Sequence, residues 1–174
     1  MKFLYVPWRS KYVQQNGPDK NPKATKDVCV FCLKFSENND TSNFILARFK
    51  YNLVILNLYP YNTGHLMILP NTHVQRLDEL STQARSELIE LINHSINILE
   101  EQLNCEGINF GINLGKIAGA GIPSHLHTHI VPRWQGDTNF LPIIADVKII
   151  SFDLNKIYND LKPKFEELTK LLDK

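Results

Sequence analysis

Three histidines alternate with other residues in the second half of the chain, at His125, His127 and His129. The surrounding run, residues 124–134, is largely apolar and is typical of an extended strand, in which successive side chains point to opposite faces. We therefore predict that the three imidazoles share one face of a strand over residues 125–131. Histidine is the side chain whose unperturbed pKa lies nearest neutral pH, so the row indicates chemistry more than simple packing.

A single zinc ion cannot be bound by all three of these histidines. On a straight strand, neighbours on one face lie about 6.6 Å apart and the outer two about 13 Å apart. A Zn–N bond is only about 2.0–2.1 Å long, so at most two adjacent histidines could share a metal. The three histidines must therefore have different functions, or the row is structural.

Two cysteines form a C-x-x-C motif near the start of the chain, at Cys29 and Cys32. Three interpretations are open: a redox pair, two ordinary buried thiols, or half of a tetrahedral zinc site that needs two more ligands. The surrounding sequence lacks a thioredoxin-like βαβ pattern, which disfavours the redox pair. Cys105 has no evident partner.

Several further motifs accompany the histidine row, and together they span roughly residues 3 to 140. They lie at residues 6–12, 29–32, 64–73, 113–115 and 125–133. With these motifs the chain resembles the histidine triad (HIT) family of nucleotide hydrolases and transferases. The histidine row followed by Pro132 and Arg133 is the most specific of them.

The resemblance implies catalytic roles for three histidines. His127 would be the nucleophile, because an imidazole nitrogen can attack phosphorus and form a covalent intermediate. Its other ring nitrogen would bond to a backbone carbonyl of the neighbouring strand. His129 would contact the phosphate or the leaving oxygen, and His65 would support the row from the adjacent strand. Cleavage would fall at the α-phosphate of an adenine nucleotide, with diadenosine polyphosphates as representative substrates.

The same resemblance implies a structural zinc ion. In relatives that keep the C-x-x-C motif, as Hint-like proteins do, two histidines complete the site, and these match His73 and His125. Four protein ligands would leave no open position on the metal, so the zinc would have no catalytic role. His125 would then be structural, and two histidines of the row would remain for chemistry.

Nucleotide contacts are expected from two asparagines and from the glycine-rich residues 115–121. Backbone N–H groups of that loop could form an anion nest, although a plain flexible connection between strands would have the same composition. The candidate nucleotide-binding residues are Asn57, Asn113, Gly119, Gly121, Ser124 and Trp134. Many HIT hydrolases carry a Gln where Gly121 stands here, and the segments beside the row resemble bacterial proteins grouped with diadenosine tetraphosphate phosphorylases. This departure favours inorganic phosphate over water as the acceptor.

The elements that position these residues follow from periodicity and capping. Residues 1–26 are predicted to form a surface segment, and the tail of residues 153–174 a helix that Pro163 kinks or divides. Ser81 is a good N-cap for a helix running to about Leu103. Further strands are predicted at residues 44–49, 53–57, 65–69 and 108–113. We predict one α+β domain over residues 1–174, and the resemblance implies an antiparallel half-barrel that forms a homodimer.

Composition limits the partners and the compartment. With 174 residues and a net charge of +1, the chain gives no electrostatic reason to bind nucleic acid or an anionic membrane. It has no apolar run long enough to span a bilayer and no signal peptide, and free cysteines suit a reducing compartment, so we expect a cytoplasmic protein. Besides the diadenosine polyphosphate enzyme, the alternatives are a nucleoside phosphoramidase, a zinc hydrolase and a non-catalytic nucleotide-binding or interaction protein.

Overall fold

A computed structural model describes residues 29–37, 39–137 and 153–172. The predicted N-terminal surface segment lies outside these residues. The elements in chain order are α1 (Val30–Ser36), α2 (Asp40–Asn43), β1 (Ile45–Arg48), β2 (Asn52–Leu56), β3 (Leu66–Pro70), a 3₁₀ turn (Leu77–Glu79), α3 (Thr82–Leu103), β4 (Gly107–Ile112), β5 (Thr128–Arg133) and α4 (Leu154–Leu172).

The five strands form one open sheet in the order β1-β2-β3-β5-β4. Every neighbouring pair is antiparallel, which confirms the predicted α+β class. Among the described strands, β1 and β4 are therefore the two edges of the sheet.

The histidine row does not lie wholly on a strand, and this part of the prediction is wrong. Strand β5 begins at Thr128, so His125 and His127 belong to the irregular segment before it. The His125 N–H bonds to the Ile122 carbonyl in a turn, and the Leu126 N–H bonds to the carbonyl of Val74. Because these amides bond outside the sheet ladder, the backbone can turn the first histidine away from the other two.

The two faces of the sheet carry different layers. One face packs against α3 and α4 in a core that includes Leu56, Ile68 and Phe165. The other face carries a smaller cluster that includes Phe31, Ile55 and Met67. Met67 pairs with His129 across β3 and β5. Because paired residues share a face, the histidine lies on the side of the sheet away from the two long helices.

Helix α3 follows its sequence signals. The Ser81 side chain accepts a hydrogen bond from the Ala84 N–H at 3.1 Å, as an N-cap should. The helix ends at Leu103, and the next residue, Asn104, adopts the left-handed conformation with φ 48°. That conformation at a helix end favours glycine or asparagine, so the predicted start and end are both confirmed.

Helix α4 covers the β1 edge of the sheet. Its Lys162 donates to the carbonyls of Ile45 and Leu46 at 3.3 and 3.0 Å, and its Tyr158 hydroxyl donates to the Ile45 carbonyl at 3.2 Å. The β1 ladder is irregular between Ile45 and Ala47, where a bulge disturbs the pairing. The helix thus supplies donors to carbonyls at that irregularity.

Pro163 does not divide helix α4, which continues past it to Leu172. A proline inside a helix leaves the carbonyl four residues earlier without its N–H partner. Pro163 is exposed, and so is Asn159, whose carbonyl loses that partner. Water can therefore replace the missing bond, and the buried face of the helix stays intact.

Candidate active site

His127 has its ring tautomer fixed by the backbone. Its Nδ1 lies 2.8 Å from the carbonyl oxygen of His125. A carbonyl can only accept, so Nδ1 carries the proton and Nε2 of the neutral ring keeps a lone pair. The accepting carbonyl belongs to the same segment, two residues earlier, and not to the neighbouring strand as expected. The irregular backbone before β5 makes this local bond available.

His65 and His129 form a second hydrogen-bonded unit. The Tyr61 N–H donates to Nδ1 of His65 at 2.9 Å, which makes that nitrogen an acceptor. The proton of the neutral His65 ring therefore sits on Nε2, which donates to Nδ1 of His129 at 3.0 Å. The neutral His129 in turn carries its proton on Nε2. The chain of bonds thus presents one N–H donor beside His127, whose ring centroid is 5.0 Å from that of His129.

Burial favours the neutral forms of His127 and His129. Desolvation, and to a smaller extent the neighbouring His127, lower the pKa of His129 to about 4. Desolvation also lowers the pKa of His127, although its bond to the His125 carbonyl acts in the opposite direction. At neutral pH both rings are therefore uncharged, as a nucleophile and a fixed N–H donor require.

The sequence analysis did not identify two aromatic side chains that contribute to the site. The ring centroid of Phe31, on α1, lies 5.6 Å from that of His127. The Tyr61 ring lies 4.6 Å from His65 and 5.6 Å from His129. Tyr61 stands four residues before His65, and Phe31 lies inside the C-x-x-C motif, so proximity to these motifs was the available signal.

The four proposed metal ligands come together in space. The candidate ligand atoms of Cys29, Cys32, His73 and His125 all lie within 4.8 Å of one another. Individual sulfur-to-Nδ1 distances are 3.3 Å for Cys32 to His73 and 3.5 Å for each cysteine to His125. Ligands of a tetrahedral zinc ion with Zn–S about 2.3 Å and Zn–N about 2.0 Å would stand about 3.5 Å apart.

The tautomer of His125 also fits a metal ligand. Its Nε2 lies 3.0 Å from the carbonyl oxygen of Pro70, so this nitrogen carries the proton. The lone pair on Nδ1 then points to the two sulfur atoms. A second-shell carbonyl that orients a ligating histidine in this way is the usual arrangement in zinc proteins. Geometry and donor set therefore both fit a Cys₂His₂ metal centre.

The two candidate asparagines directly follow the ends of strands β2 and β4. The Asn57 Nδ2 is 3.4 Å from Nδ1 of His65. Asn113 directly follows β4, whose last residue Ile112 pairs with Thr128, the first residue of β5. The structure thus places Asn57 against His65, and Asn113 at the end of the strand that pairs with β5.

The other candidate nucleotide contacts are placed differently. The N–H of Gly119 and that of Ala120 donate to carbonyls inside the loop itself, at 3.1 and 3.3 Å, so these two amides are engaged. Gly121 and Ser124 follow in the segment that leads to His125. Trp134 comes directly after β5, about 16 Å along the chain from His129, and its indole N–H donates to the Asn104 carbonyl. The structure does not bring Trp134 to the histidines.

Comparisons with known proteins agree with this arrangement. The family model described as HIT domain matches residues 38–136. A protein named AP-4-A phosphorylase from Mycobacterium tuberculosis is 35% identical over 150 residues, which cover 86% of this chain and 77% of that protein. A bis(5'-adenosyl)-triphosphatase from Dictyostelium discoideum is 30% identical over 122 residues, covering 67% and 81% of the two chains.

Solved structures share the fold. A zinc-bound histidine triad family protein from Mycobacterium smegmatis superposes with a TM-score of 0.64 at 24% identity, covering 82% of this chain and 96% of that one. None of the helices in the described part of this chain is long and apolar enough to cross a membrane.

Proposed function

This chain belongs to the HIT domain family, and from that premise we propose that it cleaves diadenosine polyphosphates through a nucleotidyl intermediate on His127. The observation that carries the proposal is the bond between Nδ1 of His127 and the His125 carbonyl. This bond leaves Nε2 as the free nucleophilic atom next to the Nε2–H of His129. The names of the two relatives support the substrate class.

The first step forms a bond between Nε2 of His127 and the α-phosphorus of the dinucleotide. The P–O bond to the remaining nucleoside polyphosphate breaks, and that polyphosphate leaves with the electron pair. The Nε2–H of His129 is placed to donate to the phosphate or to the leaving oxygen as charge develops there. His65 holds this donor in its tautomer through the bond to Nδ1.

The second step transfers the nucleotidyl group to an acceptor. An oxygen of the acceptor attacks phosphorus, the P–N bond breaks, and the lone pair returns to Nε2 of His127. We propose inorganic phosphate as this acceptor, because glycine stands at position 121 where a water-positioning glutamine would be expected, and because the M. tuberculosis relative is named a phosphorylase. Diadenosine tetraphosphate would then give ATP in the first step and ADP in the second.

The test is to incubate the zinc-loaded protein with diadenosine tetraphosphate, with and without inorganic phosphate, and to resolve the products by chromatography. ADP and ATP that form only with phosphate support the phosphorylase. AMP and ATP, or two ADP, formed without phosphate would establish a hydrolase instead. No cleavage of either kind would refute the proposed activity.

A matched pair of variants tests the nucleophile. His127→Asn should lose at least about 10³-fold in kcat, since the covalent route closes, while nucleotide affinity changes little. His94→Asn makes the same substitution in the middle of helix α3, away from the site, and should keep wild-type activity. Turnover by His127→Asn at a rate near that of His94→Asn would show that another group attacks.

We further propose that zinc occupies the Cys29, Cys32, His73 and His125 site. Four protein ligands complete a tetrahedron, so bound zinc would supply structural cross-linking with no exchangeable position. Thiols that serve as zinc ligands must remain reduced, which supports a cytoplasmic location. Metal analysis of protein purified under reducing conditions should give one zinc per chain, and Cys32→Ser should lower this content.

We also propose that two copies pair to form a homodimer. Strand β4 is an edge of the sheet, and the Phe110 side chain on it is 59% exposed. An edge strand that carries an exposed aromatic residue is a natural surface for a second copy. Light scattering should give twice the chain mass, and Phe110→Glu should shift the protein toward monomer. An unchanged mass in that variant would place the interface elsewhere.

A further inference from the structure

Phe31, one of the two residues between the thiols of the C-x-x-C motif, packs against the proposed nucleophile His127. Cys29 precedes helix α1 and Cys32 lies in its first turn, so both ends of this turn are candidate metal ligands. Phe31 lies between them, and only 7% of its surface is exposed. A metal ion bound here would therefore fix the backbone on both sides of this phenylalanine.

The Phe31 ring contacts both the metal centre and the nucleophile. Its centroid is 5.6 Å from that of His125 in an edge-on arrangement, and 5.6 Å from that of His127 with the rings tilted by 57°. The His127 ring is further bounded by His129, edge-on at 5.0 Å. One side of the His127 ring thus packs against an aromatic residue of helix α1.

A second connection runs from the metal centre to the same imidazole. His125 offers Nδ1 to the thiols, while its backbone carbonyl accepts the Nδ1–H of His127 at 2.8 Å. A metal ion that anchors the His125 side chain would also restrain this carbonyl. The ring of His127 is therefore held by two residues, Phe31 and His125, that both depend on the same centre.

We infer that Phe31 is a positioning residue for His127, and that the metal centre holds Phe31 in place by fixing helix α1. The inference deepens the proposed function, on which its kinetic part rests. Attack on phosphorus requires the reacting atoms to be held about 3–3.5 Å apart and aligned, and a misplacement of about 1 Å can cost about 10²-fold in rate. A smaller side chain at position 31 would let the imidazole rotate while leaving the nucleotide contacts in place.

Phe35 provides the matched control. Its ring stacks on Phe31 at 6.3 Å and meets His125 edge-on at 5.5 Å, but within the described residues it has no ring contact with His127. Phe31→Leu and Phe35→Leu therefore remove the same ring from the same helix beside the same metal ligand. Only Phe31→Leu removes an aromatic contact to the His127 ring.

The experiment compares these variants, each carrying stoichiometric zinc, with diadenosine tetraphosphate as substrate. Phe31→Leu should lower kcat by about 10–100-fold with KM changed by less than about threefold, whereas Phe35→Leu should keep kcat within about twofold of the wild type. Equal kcat values for the two variants would overturn the inference. Equal losses in kcat/KM that arise from KM would also overturn it, because they would place Phe31 in ground-state binding.

A spectroscopic readout separates this inference from the proposed activity. Nitrogen-15 NMR of the wild-type protein at fixed pH should show His127 as a single Nδ1–H tautomer with zinc bound. Removing zinc from the wild type should broaden or shift this signal, while the His65 and His129 signals change less, since Tyr61 and His65 fix those tautomers. A His127 signal that does not respond to zinc would overturn the inference. The measurement uses the wild-type protein and depends neither on turnover nor on the folding of a variant.

Discussion

Gly64 should be intolerant of even one added carbon. Its φ is +72°, in the left-handed region, where a residue with a side chain costs about 1–2 kcal/mol more than glycine. A Cβ there would overlap the δ1 carbon of Leu103 and would lie 3.4 Å from Pro132 Cγ and 3.5 Å from Leu99 Cδ2. Overpacking of this kind typically costs about 1–3 kcal/mol. We expect Gly64→Ala to lower the free energy of unfolding by about 2–4 kcal/mol.

Urea denaturation followed by circular dichroism, at a fixed excess of zinc, measures this loss. Gly107→Ala is the control, because a Cβ at Gly107 meets nothing within 4 Å and should change stability by less than about 0.5 kcal/mol. Equal stabilities of the two variants would refute the reasoning. Gly64→Ala should also lower turnover, since the next residue is His65, whose N–H bonds to the Asn62 carbonyl at 3.2 Å.

Three further predictions concern charged and titrating groups. Because the pKa of His129 falls to about 4 on folding, the unfolded chain takes up the proton at a higher pH than the folded chain. Lowering the pH from 7 to 5 should therefore cost about 2 kcal/mol of stability through His129, and His129→Asn should remove this part of the loss in urea denaturation. Lys162→Met should destabilise the protein by about 1–3 kcal/mol in urea denaturation, as β1 carbonyls lose a donor, whereas exposed Lys170→Met should not. Bonds from Arg133 lower the pKa of Asp137 to about 2, so Asp137→Asn should cost about 1 kcal/mol at pH 7 after screening, and the difference should vanish as the pH falls from about 4 to 2.

Local signals account for what the sequence predicted well. Helix α3 starts after Ser81 and ends before Asn104 because capping and left-handed propensity are properties of single residues. Runs of apolar residues likewise indicated β1, β2, β3 and β4 to within one or two positions. Helix α1 was missed because it is only seven residues long, and much of its burial comes from contacts with residues distant in the sequence.

The site shows where local reasoning ends. The pattern of alternating histidines indicated a common face. The backbone at residues 122–126 is instead set by a turn and by the hydrogen bond from the Leu126 N–H to the Val74 carbonyl, some fifty residues earlier in the chain. The tautomers of His65 and His127 depend on single backbone atoms of other residues. The metal cluster required a family resemblance, because His73 and Cys32 stand 41 residues apart and meet only in the folded chain.

Because α4 covers the β1 edge, this edge is closed to strand pairing with another molecule. Lys162 and Tyr158 occupy the carbonyls at that edge, so a strand from another molecule would have to displace them. Among the described strands, this leaves β4 as the edge available for joining a neighbour. In the proposed homodimer, pairing through β4 would cover this edge on both copies in one contact. The proposed dimer would then be the largest edge-to-edge assembly, and the described sheet would not extend into a fibre.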